Sequence, residues 1–327
     1  MTSLATLIAI SFALLATPAA AATVSDTGTG THASLPNVPT TLSGLDWRGG
    51  TPLSGSTESA KLKTLCSTEI HVPGGVYPIS TSEAYLENWS SGNLTVCGGG
   101  ADTTIATPPA GFSYSGYAGM AGVKVSGKLD LILISWGPRP SPAVGWYCLN
   151  ATPTGCQSTA GFTLPSSFCS SESAGYCNPD GLVIAKTLAF TYVDVINEQM
   201  VSCSAHAVSC TVDGASADFS GFLPSEIVQS GSTLYVSDNS CTGYIWEGST
   251  TSMTVLTHLG DALGGIAFHQ KTLYVADWGT CTSSPAHIID VKTGSSLPTP
   301  FTGPEELIGL DSDLQWGSYQ AGGVYSD

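Results

Sequence analysis

Charged side chains are scarce in this chain of 327 residues. Asp, Glu, Lys and Arg make up 10% of it, against about 25% in an average soluble protein. Coiled coils and long solvated helices need charged outer faces, so the scarcity excludes both as the main architecture. Lys and Arg number 9 against 25 Asp and Glu, and the net charge is −16. This balance argues against nucleic acid as a partner and favours cationic partners.

Long hydrophobic runs are missing except near the N-terminus. Residues 4–15 are apolar and are followed by the small residues Ala20–Ala22, a pattern that predicts a secretory signal peptide over residues 1–22. The run is too short to span a bilayer comfortably. The 10 cysteines, an even number, fit an oxidising compartment. We therefore expect a secreted protein with no membrane span. Its candidate glycosylation sites are the sequons at Asn88, Asn93 and Asn150.

Several catalytic signatures are also missing. The chain has no Gly-x-Ser-x-Gly nucleophile elbow, no zinc-binding HxH or HExxH spacing and no glycine-rich phosphate loop. The sequence therefore requires no cofactor, although a divalent cation (Ca²⁺, Mg²⁺ or Zn²⁺) stays open. Whether the protein is an enzyme is not decided by these patterns.

What the chain does contain is turn-forming residues, with 38 Gly and 19 Pro, and a repeated unit. Each unit has a short apolar strand, a tight turn and a stronger apolar strand that ends at a polar or Trp corner. The six copies begin at Gly75, Gly122, Gly181, Glu226, Gly265 and Glu306. Their second strands are predicted to open at Glu83, Asp130, Thr187, Thr233, Thr272 and Asp313.

Units of about 40 to 45 residues with four strands each are typical of β-propellers. We therefore predict an all-β fold, a six-bladed β-propeller of four-stranded antiparallel blades over residues 67–327. An extended lead-in covers residues 23–66. Because an open blade would expose unpaired backbone groups, we expect an N-terminal strand, Leu42–Trp47 or Ser67–Val72, to close the last blade.

The strings Thr233-LYVSD and Thr272-LYVADWG resemble the NHL repeat and the six-bladed propellers of the SMP-30/gluconolactonase and strictosidine-synthase-like group. The SMP-30 resemblance implies a divalent-metal lactonase whose acidic ligands start the inner strands. Asp180 and Glu306 are the candidate metal ligands or acid/base groups here, and Glu226 and Glu305 also start inner strands. The strictosidine-synthase-like resemblance implies an acidic residue in an amine-binding pocket, for which Glu305 or Glu306 is the counterpart.

Loops that follow the second strand of every blade lie on one face of a propeller. The six copies place Trp89, Trp136, Val193, Asn239, Trp278 and Tyr319 at one ring position of that face. The preceding position holds Asn88, Ser135, Tyr192, Asp238, Asp277 and Ser318. An aromatic ring with a few polar groups is typical of a ligand pocket. The predicted ligand-binding residues are Trp89, Trp136, Asp238, Asn239, Asp277 and Trp278.

Each of these residues also has a structural interpretation. A Trp at a blade corner packs between blades, and an Asp after such a strand caps its own turn. If the protein is catalytic, the candidates are Asp180, Glu306 and Asp277, with Asp238 or Asp277 orienting the substrate.

Disulfide pairs are expected from the spacing of the cysteines, which does not by itself fix connectivity. The pairs Cys148–Cys156 and Cys203–Cys210 would staple hairpins, and Cys169–Cys177 would close a loop. Cys241 and Cys281 occupy similar corners of adjacent blades, which leaves Cys66–Cys97.

Three functions stay open. The first is a secreted module that binds a small, largely apolar or cationic molecule, or an extracellular protein, at the loop face. The second is a metal-assisted lactone or ester hydrolase, or a cofactor-free small-molecule enzyme. The third is an extracellular scaffold.

Overall fold

The computed structural model describes residues 63–67, 73–88, 91–112, 118–135, 142–165, 167, 177–297, 299–305, 307–312, 314–318 and 323–326. The predicted signal peptide, most of the predicted lead-in and the segment Leu42–Trp47 lie outside these residues. No helix within them is long and apolar enough to cross a membrane.

Five antiparallel sheets are each built from four consecutive strands. The first two are β2 (Pro73–Ser80), β3 (Glu83–Asn88), β4 (Leu94–Gly98) and β5 (Ala101–Ala106), then β6 (Ala118–Val125), β7 (Lys128–Ser135), β8 (Val144–Ala151) and β9 (Ser158–Thr163). The third is β10 (Pro179–Ile184), β11 (Phe190–Asp194), β12 (Gln199–Cys203) and β13 (Cys210–Val212). The last two are β14 (Pro224–Ser230), β15 (Thr233–Asp238), β16 (Tyr244–Ser249) and β17 (Ser252–His258), then β18 (Leu263–His269), β19 (Thr272–Asp277), β20 (His287–Asp290) and β21 (Ser296–Leu297). Two 3₁₀ helices flank β13, at Ala205–Ala207 and Gly214–Phe219.

A composite sheet combines strands from both ends of the described chain. It contains β1 (Lys63–Ser67), β22 (Leu307–Ile308), β23 (Gln315–Ser318) and β24 (Gly323–Ser326), in the order β1-β24-β23-β22. A strand that precedes the contiguous blades thus pairs with β24, as predicted for the N-terminal region. Of the predicted segment Ser67–Val72, Ser67 belongs to β1, and residues 68–72 lie outside the described residues. The side chains of Leu65 and Cys66 are buried in this sheet.

The innermost strands contact one another in a ring: β2, β6, β10, β14, β18 and β22, which in turn contacts β2. Buried apolar side chains form six clusters, each of which joins one sheet to the next. Because both faces of a sheet are covered near its inner strands, a strand such as β7 contains a continuous buried apolar run. Ile132 and Ile134 of β7 thus pack toward the third sheet, and Leu131 packs toward the first.

A β-propeller of four-stranded antiparallel blades is therefore confirmed. Five blades are contiguous in the chain, whereas the predicted count of six depends on the composite sheet.

The positions of the second strands are confirmed in part. Those predicted to open at Glu83, Thr233 and Thr272 open there. The other three open at Lys128, Phe190 and Gln315, two or three residues from the predicted positions. The third blade departs most because residues 185–189 form a longer turn, in which Ala185 N donates to Ala189 O at 2.7 Å. Most of the other blades join their first and second strands through two residues. A prediction based on the repeat therefore placed the second strand of the third blade too early.

Four of the predicted disulfides are formed. Cys148–Cys156 and Cys203–Cys210 each close a hairpin, and Cys66–Cys97 links the composite sheet to the first blade. Cys241–Cys281 joins the fourth and fifth blades. Cys177 is also disulfide-bonded, and its predicted partner Cys169 lies outside the described residues.

Candidate functional site

The last residue of the second strand pairs with the first residue of the innermost strand in several blades, so these corner residues are equivalent in position. Asn88 pairs with Pro73, and Asp238 pairs with Pro224. In the third blade the equivalent residue is Asp194, which pairs with Pro179. The assignment of Tyr192 and Val193 to this position is therefore wrong; both are fully buried in the core. The longer turn at residues 185–189 shifts the count by two positions.

Asp238 is a turn cap. Its Oδ1 accepts hydrogen bonds from Leu223 N and Ser240 N, both at 3.0 Å, and its Oδ2 accepts one from Thr242 Oγ1 at 2.5 Å. The side chain is fully buried. The adjacent Asn239 is half-buried, and its backbone N–H donates to Leu223 O at 2.9 Å. The structure thus gives the Asp238 carboxylate several local partners, which is the capping interpretation.

Asp194 and Asp261 are similar caps that the sequence analysis did not single out. Asp194 Oδ1 accepts from the backbone N–H groups of Asn178 and Asn197, at 3.2 and 3.1 Å. Asp261 holds the loop that follows β19, with Cys281 N donating to its Oδ1 at 3.0 Å. For Asp194 the sequence signal is an Asp that directly ends a buried second strand, as Asp238 does, whereas Asp261 lies just before the inner strand β18.

Asp277 is the corner carboxylate with a titratable partner. Gly279 N donates to its Oδ1 at 2.8 Å, and His287 Nε2 lies 3.8 Å from its Oδ2. Burial raises the pKa of Asp277 to about 6, against the opposing effects of the Gly279 hydrogen bond and the His287 charge. Nearby Asp261 raises this pKa further. An acid–base pair is therefore present at this corner.

Trp278 packs between blades. Its indole Nε1 donates to Leu307 O at 2.9 Å, which ties the fifth blade to the innermost strand of the composite sheet. Its ring fills the space beside Gly264, where a Cβ would lie 2.2 Å from Nε1. The side chain is 7% exposed. These contacts match the packing interpretation and leave little of the ring open to a ligand.

Trp89, Trp136 and Glu306 lie outside the described residues. The predicted ligand-binding role of the two tryptophans therefore stays a prediction.

A ring of glycines surrounds the axis where the innermost strands begin. They are Gly75, Gly119, Gly181, Gly265 and Gly309. Gly75, Gly181 and Gly265 directly precede the residue at which pairing with the second strand resumes, whereas Gly119 lies within the paired part of β6 and Gly309 directly follows β22. A Cβ at any of them would lie within 3 Å of the backbone of the next innermost strand. Glycine at this level is what lets the innermost strands approach each other so closely.

Glu226 occupies the sixth equivalent position, directly before Ile227. Its carboxylate folds back over the third blade, because its Oε2 would lie 2.6 Å from a Cβ on Gly181. Asp180 is next to Gly181, and its Oδ2 accepts a 2.7 Å hydrogen bond from Ser225 Oγ. Two carboxylates of neighbouring innermost strands thus meet beside the axis.

The environment of this carboxylate pair is poor in compensating groups. Asp180 is 6% exposed, and its Oδ1 has no hydrogen-bond partner among the described residues. Within the same residues no cationic side chain lies at ion-pair distance from either carboxylate. Burial raises the pKa of Asp180 to about 7, against the Ser225 hydrogen bond. Burial and the Asp180 charge raise the pKa of Glu226 well above its usual value.

The acidic set implied by the SMP-30 resemblance is only partly present in the described residues. Asp180 and Glu226 supply two carboxylates, but no group of three or more His, Cys, Asp or Glu that could hold a metal occurs in the part of the chain that the structure describes. Calcium takes six to eight oxygen ligands, so two side chains do not make a dedicated site.

The predicted glycosylation sites lie in turns and at strand ends. Asn150 is near the end of β8, and its Nδ2 donates to Gln157 Oε1 at 2.5 Å. Asn88 ends β3, and its backbone N–H donates to Asn93 O at 2.9 Å. Whether these sites carry glycans stays a prediction.

No family model matches the chain, and no curated protein matches it. Solved structures do. A structural genomics protein of unknown function from Bacteroides thetaiotaomicron has a TM-score of 0.53 and 12% identity, covering 81% of this chain and 75% of that one. A catalytically inactive virginiamycin B lyase from Staphylococcus aureus with quinupristin has a TM-score of 0.47 and 14% identity, covering 78% and 81%. A WD40 β-propeller domain has a TM-score of 0.46 and 8% identity, covering 81% and 95%.

At these identities the similarity concerns the fold alone. The comparisons assign the chain to no family, and the β-propeller assignment follows from the six sheets and the ring of innermost strands. The NHL and SMP-30 resemblance stays an expectation from the sequence.

Proposed function

We propose that the protein is an extracellular β-propeller binding module that takes a small organic cation at the axial carboxylate pair, Asp180 and Glu226. The observation that carries this proposal is the meeting of two carboxylates from neighbouring innermost strands, with no cationic side chain beside them among the described residues. Two like charges in a partly dehydrated place repel each other. An ammonium group placed between them would relieve that repulsion and donate hydrogen bonds to their free oxygen atoms.

The chemistry of the surrounding chain supports the same ligand class. A net charge of −16 raises the local concentration of cations near the protein. The disulfides support an extracellular location, because such bonds persist in oxidising compartments. We also propose that the composite sheet acts as a sixth blade, since its innermost strand β22 contacts both β18 and β2.

The test compares three ligands that share one aromatic ring and differ in charge: naphthylethylamine, naphthylethanol and naphthylacetate. Calorimetric titration should show binding of the amine at the pair, and Asp180→Asn and Glu226→Gln should each weaken it by about tenfold or more. Asp213→Asn is the matched control, because Asp213 is a half-buried carboxylate that follows the outermost strand β13 and bonds to Ser202 Oγ. Equal affinity for the amine and the alcohol, or unchanged amine binding in both variants, would overturn the proposal.

Metal analysis of the same preparation separates the alternative. Stoichiometric Ca²⁺, Mg²⁺ or Zn²⁺ that is lost in Asp180→Ala would instead favour a metal-assisted lactone or ester hydrolase. Retention of amine binding in metal-depleted protein would favour the binding module.

A further inference from the structure

One cavity of about 690 Å³ lies between the first two blades. Its lining comes from the end of β2, the start of β7 and the hairpin that joins β8 to β9. These are the opposite ends of the blades from the glycine ring, so the cavity is separate from the axial carboxylate pair. Its volume falls within the range of about 300 to 1,000 Å³ that small-molecule sites occupy.

Tyr77, Tyr85 and Leu129 supply the aromatic and apolar part of the cavity. The Tyr77 ring lies against Gly122, where a Cβ would be 2.5 Å from Tyr77 Cε2. Gly122 therefore leaves the space that this ring occupies. The flat apolar part of a ligand could therefore pack against these aromatic rings.

The charges at the cavity are the reverse of those in the chain as a whole. Two lysines, Lys124 and Lys128, are among the lining residues, and no Asp or Glu is. The chain has 9 Lys and Arg against 25 Asp and Glu. The net charge of the lining residues is therefore positive, whereas that of the whole chain is negative. Both lysines are exposed, and their ammonium groups are free to move toward a bound anion.

Carboxylates near the cavity act on its phenols. Burial, nearby Tyr77 and then Glu83 raise the pKa of Tyr85 to about 12, and burial followed by Asp311 raises the pKa of Tyr77. Both hydroxyl groups therefore remain protonated at neutral pH and can donate hydrogen bonds. Two lysines and two phenols thus offer hydrogen-bond donors to the cavity, which suits a ligand rich in acceptors.

The hairpin that bounds the cavity is held rigidly. The disulfide Cys148–Cys156 closes it, and Thr152 and Gly155 exchange two backbone hydrogen bonds of 2.9 and 3.1 Å. The backbone N–H of Asn150 donates to Asp130 Oδ1 at 2.8 Å. A rim with fixed geometry loses little conformational entropy when a ligand binds.

We propose that this cavity is a second binding site, for a small amphipathic anion with a flat apolar body and one carboxylate or sulfonate group. The apolar body lies against Tyr77 and Tyr85, and the anionic group is bound by Lys124 and Lys128. The site differs from the axial pair in place, in charge and in the sign of the ligand it selects.

The three naphthyl ligands test this site as well, with protein made in a bacterial periplasm so that the Asn150 sequon carries no glycan. Naphthylacetate should bind more tightly than naphthylethanol, and its affinity should fall with added salt because the lysines are exposed. The variant with both Lys124→Gln and Lys128→Gln should weaken naphthylacetate binding about fivefold or more. Arg at both positions should retain it, since the charge is kept.

The matched control replaces Lys186 and Lys271 with Gln. Both are exposed lysines in the turns that join first and second strands, at the same end of the third and fifth blades. This control also loses two positive charges, but away from the cavity, and it should bind naphthylacetate as the wild type does. Equal weakening in the control, or naphthylethanol binding as tightly as naphthylacetate, would overturn the proposal. Asp180→Asn should leave naphthylacetate binding unchanged, so the two sites can fail independently.

Discussion

Ser225 Oγ donates a 2.7 Å hydrogen bond to Asp180 Oδ2 across two neighbouring blades. This bond lowers the pKa of Asp180, yet burial raises it more, to about 7. The balance of these two effects recurs elsewhere in the molecule. Carboxyl groups are buried in an acidic protein where hydrogen bonds only partly compensate for lost water, and the pH dependence of stability follows from that.

The free energy of unfolding should fall as the pH rises between about 4 and 7. Burial raises the pKa of Asp277 to about 6, that of Asp180 to about 7 and that of Glu87 well above its usual value. In this window the folded state therefore holds protons that the unfolded state has released, and stability is lost as the pH passes each folded-state pKa. Urea unfolding at about pH 5, 6, 7 and 8 measures the trend. A flat or rising profile would contradict it.

Glu87→Gln should stabilise the protein at neutral pH by on the order of 1 kcal/mol. Glu87 is fully buried, and neither carboxylate oxygen has a hydrogen-bond partner among the described residues. The amide is neutral at every pH, so folding no longer requires the side chain to take up a proton, and the pH profile of the variant should also be flatter. Glu247→Gln, on the half-buried β16, is the control that removes one carboxylate elsewhere. If both variants shift stability equally, burial of Glu87 is not the cause.

Gly119→Ala should destabilise the fold by about 1 to 3 kcal/mol or more. A Cβ at Gly119 would lie 1.8 Å from Asp180 O, so the two innermost strands would have to move apart. Gly303→Ala is a suitable control, since a Cβ there would meet nothing within 4 Å. Thermal and urea unfolding of both variants would measure the difference. Similar stability of the two variants would argue against close contact between β6 and β10.

Trp278→Phe should lower the free energy of unfolding by about 1 to 3 kcal/mol, because Leu307 O loses its buried donor. The packing interpretation predicts little change in the binding of naphthylethylamine or naphthylacetate. Calorimetric titration and urea unfolding of the same sample separate the two roles. A stable variant that has lost ligand affinity would instead support the predicted ring of ligand-binding residues.

Removing Cys241–Cys281 should destabilise the protein more than removing Cys203–Cys210. The sequence separations are 40 and 7 residues, and loop-closure entropy then corresponds to about 4 and about 2 kcal/mol. Replacing each pair with two serines and measuring urea unfolding tests the order. The reverse order would mean that the short hairpin bond contributes through native-state packing.

The repeat in the sequence predicted most of the architecture because each blade carries its own signals. Two-residue turns, as at residues 231–232 and 270–271, set a count that locates β15 and β19 correctly. The same count fails in the third blade because the turn between its first two strands is longer. Its corner residue Asp194 was therefore missed in favour of Tyr192.

The candidate site was less accessible from sequence because its geometry is tertiary. Asp180 and Glu226 are both visible as acidic residues at the starts of inner strands. That they meet depends on the absence of a Cβ at Gly181, which no local pattern reports. The cavity beside Tyr77 likewise depends on packing between blades. It lies at the face of the propeller opposite the aromatic corners that the sequence pointed to.

The pairing of β1 with β24 has a consequence for biosynthesis. β1 is translated before the five contiguous blades and β24 after them, so the backbone groups of β1 must wait for all five blades before they find their partner. Folding during translation can therefore complete the contiguous blades one after another, but β1 can pair only once β24 has been made. Any stop codon before β24 would release a chain in which β1 has lost that partner.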